Sequence, residues 1–145
     1  VYSMNIGQLV TPIALLALYA STAFCQERAG ADKIAYGKYI AVEVSKCLDC
    51  HTPVTEAGAL DQTKIMKGKV MEIQPIDTIE HWHKTSPDIT PSGKLWSKWG
   101  GEKAMIQYLM TGLTPAGKPA GPPMPAYKLK QTDAEAIVAY LKSLN

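Results

Sequence analysis

The chain has 145 residues, enough for one domain and too few for two; 46% of them are apolar and 19% charged. A net charge of +2, carried by many lysines and a single arginine, Arg28, excludes the strongly basic balance of a nucleic-acid binder. Three cysteines, Cys25, Cys47 and Cys50, exclude a disulfide framework, and eleven Gly with ten Pro announce a loop-rich fold short of core, which a metal or bound group must complete.

From Val1 to Gln26 no residue is charged, and the stretch "LVTPIALLALYASTAFC" (9–25) is apolar. Residues 1–26 are therefore expected to be a signal peptide or a membrane anchor. As a signal, Ser21 and Ala23 form the small-x-small site and the mature chain begins near Phe24, although no Lys or Arg precedes Arg28. As an anchor, residues 6–25 just reach the span of about 20 residues that a bilayer needs. A third route is lipidation of Cys25. Each sends the rest, one expected domain over residues 27–145, to the periplasm or the extracytoplasmic face of a membrane.

"KIAYGKYIAVEVSK" (33–46) places Ile34, Tyr36, Ile40 and Val44 at helical spacing. Gly37 would weaken that helix by about 1 kcal/mol relative to Ala, unless another helix crosses tightly at this point. "KCLDCHTP" (46–53) follows. A structural zinc would need Cys47 and Cys50 joined by His81 and His83, whose spacing is wrong and which leaves His51 over. A thioredoxin-like pair belongs ahead of a helix in a βαβ unit, and here the helix comes first. C-x-x-C-H is the attachment signature of a c-type haem. Cys47 and Cys50 lie one helical turn apart, so their sulfurs can add to the two vinyl groups on one porphyrin edge. His51 then swings its imidazole under the iron. One motif implies one covalent haem c.

Residues 52–99 have weak periodicity, and are expected to be loop with one or two short helices wrapping the haem. "GEKAMIQYLMTG" (101–112) reads as a helix ended by Gly112, with Met105 and Met110 in the core. A methionine opposite His51 would raise the reduction potential. Met66 and Met71 stay open, and His81 and His83 offer a bis-histidine alternative. Met124 is the preferred ligand, because Pro122, Pro123 and Pro125 fix the backbone around it. Lys118, Lys128 and Lys130 flank it and would form a positive rim for an acidic partner. In the last helix Thr132 and Glu135 form a capping box, Asp133 suits the positive helix start, and Ile137, Leu141 and Leu144 make an apolar stripe.

From Ala35 to its end the chain resembles a class I cytochrome c. It is most similar to the single-haem modules in cytochrome subunits of membrane-bound alcohol and sugar dehydrogenases. "YGKYIAVEVSKCLDCHTP", "SPDITPSG" followed by Trp, and "TGLTPAGKPAGPPMPAYKLKQTDAEAIVAYLKSL" carry the resemblance, in the family's order. It implies an all-α, small cytochrome c fold wrapped around one covalent haem. It also implies Cys47 and Cys50 as thioether anchors, His51 and Met124 as axial ligands, and a propionate contact from Trp96 or Trp99. Such subunits often carry three haem modules in tandem, where this chain has one motif. The implied function is one-electron transfer in a respiratory or other periplasmic chain, with a membrane oxidoreductase or oxidase complex as redox partner and no nucleic acid. The protein would not be an enzyme by itself. Exposed apolar residues outside the haem rim would favour a fixed subunit over a free carrier. The rival reading is a haem enzyme or gas sensor with an open sixth position, which requires that Met124 not bind.

Overall fold

The computed structural model describes residues 29–144. Contacts divide the chain into two units, Val1–Asp32 and Lys33–Asn145. Of the first, residues 29–32 are described and helical. The apolar helix expected over residues 6–25, and Cys25, lie outside the described residues. No helix among the described residues is long and apolar enough to cross a membrane.

The second unit is mostly helical. Helix α1 covers residues 33–39 and widens into a π-helical turn, Ile40–Val44, closed by the Ser45 N–H donating to the Ile40 carbonyl at 2.8 Å. Then come α2 (Cys47–His51), α3 (Lys94–Trp99), α4 (Glu102–Thr111) and α5 (Gln131–Lys142). Between α2 and α3 the chain is loop, apart from one antiparallel ladder, β1 (Lys69–Val70) against β2 (Thr85–Ser86), with Lys69 opposite Ser86.

The core forms where α5 packs on α4 and on the π-helical turn. Met105, Tyr108 and Leu109 of α4 meet Ala134, Ile137, Val138 and Leu141 of α5, with Ile40 and Ala41 beneath. The stripe expected on the last helix is present, with Ile137 and Leu141 buried and Leu144 packed against the core. Gly112 ends α4 as expected: at φ 72° it turns its N–H back to the Tyr108 carbonyl, a left-handed conformation that side chains resist.

Two local expectations are corrected. The buried face of α1 and its π turn is Gly37, Ile40 and Ala41; Ile34, Tyr36 and Val44 point to solvent. The reason is the crossing with α5, where a Cβ on Gly37 would stand 1.8 Å from the Ala136 carbonyl oxygen. Two backbones that close admit only small residues between them, so the larger ones face away. The capping box is also absent. The helix starts at Gln131 with Lys130 as an uncapped N-cap, so Thr132 already lies inside it. Glu135 instead accepts from Lys33 Nζ at 2.9 Å and from Gln131 Nε2 at 2.8 Å. Asp133 does sit in the first turn, where the Tyr36 hydroxyl donates to it at 3.2 Å. These exposed contacts pin α1 to the start of α5 and contribute little energy individually.

Candidate functional site

Lys46, in the left-handed region at φ 52°, turns the chain from the π-helical turn into α2. That single helical turn presents Cys47 and Cys50 to one cavity of about 500 Å³ with almost wholly apolar walls. Neither cysteine is in a disulfide. Burial pushes the Cys47 thiol up to about 11, so it is a neutral thiol at pH 7. A disulfide-exchange motif depends on a lowered thiol, and this is the opposite. Among the described residues, no three His, Cys, Asp or Glu side chains converge as metal ligands, which removes the zinc grouping.

His51 is 4% exposed. Its Nδ1–H donates to the Pro87 carbonyl at 2.9 Å, since a carbonyl can only accept. That bond fixes the tautomer and leaves the Nε2 lone pair free. Nε2 is buried in the cavity wall without a hydrogen-bond partner, and burial lowers the imidazole's pKa, keeping it neutral. The loop that supplies Pro87 is bound to α2 from several directions. Ser86 Oγ donates to the Cys50 carbonyl, and the Gly68 N–H donates to the His51 carbonyl at 2.7 Å. Lys67 Nζ reaches Thr90 Oγ1 at 2.9 Å, while Thr90 N–H and hydroxyl both donate to Asp88, at 2.8 and 2.7 Å.

Met124 lies in the opposite part of the sequence and lines the same cavity, between Pro123 and Pro125. A bridge between Leu113 and Pro119 starts this strand of the wall, and a turn from the Gly121 carbonyl to the Met124 N–H, at 3.3 Å, places the residue. The other candidates separate. Met66 is fully buried but is not part of the cavity wall; Met71 is buried and is part of it, as is Met105 beyond its core role. His83 borders the cavity and His81 does not. Trp99 lines it, edge-on to Tyr108 with ring centroids 5.0 Å apart, while Trp96 packs only on the core. Lys118, Lys128 and Lys130 are exposed but outside the wall, to which Lys46 belongs.

Sequence reasoning missed the Pro87 carbonyl, Ser86, Tyr108 and Tyr127. The Tyr108 hydroxyl is buried in the wall with no partner. The Tyr127 hydroxyl donates to the Ser45 carbonyl at 2.7 Å, and burial pushes its pKa up to about 12. Three of the four act through a main-chain carbonyl, which has no residue signature.

The cavity fits a covalently held haem. It offers two thiols one helical turn apart, an unpartnered imidazole nitrogen, a thioether and apolar walls with room for a flat macrocycle. A family model described as Cytochrome c matches residues 34–145. The chain is 30% identical over 113 residues to the fructose dehydrogenase cytochrome subunit of Gluconobacter japonicus, covering 74% of this chain and 21% of that protein. It is 32% identical over 111 residues to a diheme cytochrome c-type protein of Cereibacter sphaeroides, covering 73% and 33%. The chain thus spans a third or less of the curated relatives it matches.

Proposed function

The chain belongs to the cytochrome c family, and on that premise we propose that it is a monohaem one-electron carrier outside the cytoplasm, ligated by His51 and Met124. The unpartnered, buried Nε2 of His51, a residue of the apolar cavity's wall, carries this reading. When bound, the haem supplies a one-electron ferrous–ferric couple. The protein's own residues do the rest. Cys47 and Cys50 anchor one macrocycle edge. Pro87 holds the His51 ring in its tautomer, and the apolar wall keeps water and substrates from the iron. Trp99, the tryptophan that lines the cavity, would be the one to meet a propionate. The extracytoplasmic setting rests on the uncharged apolar stretch before Glu27.

The test is Met124→Ala. The haem stays covalently attached, because Cys47, Cys50 and His51 are untouched. The ferric iron loses its sulfur, the red charge-transfer band of an iron–methionine bond vanishes, the potential falls, and imidazole binds. Met66→Ala, Met71→Ala and changes at His81 or His83 leave the band in place. A band that survives in Met124→Ala, or is missing in the wild type, would return the open-haem or bis-histidine reading.

Of free carrier and fixed subunit, exposed apolar residues favour the second. Ile73, Ile76 and Ile79 are 55%, 104% and 45% exposed, and none of the three lines the cavity. A solvated carrier gains nothing from such side chains. Ile73→Ser, Ile76→Ser and Ile79→Ser together should leave melting temperature and spectrum unchanged. In size-exclusion of detergent extracts from native membranes, wild type should elute as part of a large complex and the triple variant as monomer. Equal elution of the two would return the free carrier.

A further inference from the structure

Met124 and Cys47 are far apart in sequence, and one side-chain hydrogen bond joins their loops. Tyr127 stands three residues after Met124, in the cavity wall. Its hydroxyl donates at 2.7 Å to the carbonyl of Ser45, two residues before Cys47 and also in the wall. Ser45 is the corner where the π-helical turn ends and left-handed Lys46 begins, so its carbonyl marks the entry of the attachment helix. No other hydrogen bond among the described residues links residues 118–128 to residues 40–51.

On the reading that Met124 is an iron ligand, we propose that Tyr127 is a positioning residue that keeps the thioether on the iron by tying the methionine loop to the entry of the attachment helix. The main-chain restraints near Met124 are the 3.3 Å turn to Gly121, long for a hydrogen bond, and the bond from the His83 N–H to the Pro122 carbonyl at 2.8 Å. Both lie before Met124. After it, the first main-chain anchor is the Leu129 N–H on the Leu109 carbonyl at 3.0 Å. Tyr127 is thus what fixes the stretch between the sulfur and that anchor. Its phenol ring fills the wall, and its hydroxyl sets where the wall stands relative to the covalently attached edge.

The experiment is an imidazole titration of the ferric holoprotein, followed by loss of the iron–methionine band, in wild type, Tyr127→Phe and Tyr36→Phe. Phenylalanine keeps the ring and removes only the donor. Tyr36→Phe removes a comparable bond, to Asp133, away from the cavity. Half-displacement in Tyr127→Phe should need about two- to tenfold less imidazole, the range one lost hydrogen bond spans. Tyr36→Phe should match wild type. In urea, the band of Tyr127→Phe should fade before the helical signal, whereas in wild type both go together. Equal imidazole affinity in wild type and Tyr127→Phe, or an equal shift in both variants, overturns the proposal. A wild type without the band overturns the Met124 reading itself, and the role of Tyr127 with it.

Discussion

Replacing Cys47 and Cys50 together by alanine is expected to leave a haem-free chain that does not fold cooperatively. Packed residues of α4 and α5 line one side of the cavity, and loops form most of the other. Without the haem, the apolar wall of a cavity of about 500 Å³ is left facing water, at about 25 cal/mol for each Å² exposed. Net stabilities of whole domains are about 5–15 kcal/mol. The fold cannot hold that cavity open, and the loop-rich wall from Thr52 to Trp99 lacks the apolar mass to collapse into it. Circular dichroism and calorimetry of the haem-free double variant check this; a sharp thermal transition would show that the polypeptide core suffices.

Gly37→Val carries the second largest effect. A Cβ there would meet the Ala136 carbonyl oxygen at 1.8 Å, its carbon at 2.3 Å and the Ile137 nitrogen at 3.0 Å, all backbone atoms that cannot rotate aside. The helices must separate, and the contacts of Ile40, Ala41 and Ile137 open with them. Overpacking a core costs about 1–3 kcal/mol and more where backbone must move, so a loss of about 3 kcal/mol or more is expected. At about 4–8 °C per kcal/mol for a domain near this size, melting falls by well over 10 °C. Lys38→Val, exposed on the same helix, controls for the lower helix propensity of valine. If both variants melt alike, the crossing is looser than drawn.

Local geometry was easier to read from the sequence than packing. C-x-x-C-H spans five residues, and its geometry is local, so the single turn of α2 follows from the spacing itself. Met124, singled out because prolines bracket it, does line the cavity. Gly37 was legible as a contact point, yet the face around it was misread: apolar spacing marks Ile34, Tyr36 and Val44, whereas burial at a backbone-to-backbone crossing selects for smallness. The capping box failed because Glu135 had a better partner in Lys33, 102 residues away, which no local pattern contains. The Pro87 and Ser45 carbonyls were out of reach for a related reason. What they do depends on where the chain returns, 36 and 82 residues along, and main-chain oxygen is the same at every position.

The Gly37–Ala136 crossing also sets an order of events in the making of the protein. Its two sides lie at opposite ends of the domain, and α5 is the last described helix to leave the ribosome or the translocation channel. Contacts at such separation close late, because loop-closure entropy comes before any packing gain. Until α5 docks, the wall that Ile137 and Leu141 give the cavity is missing and the Cys47 and Cys50 thiols are open to an incoming haem. Burial that later makes Cys47 a poor nucleophile has not yet set in. Covalent loading would therefore suit the chain before its last helix docks, while the attachment turn is still open.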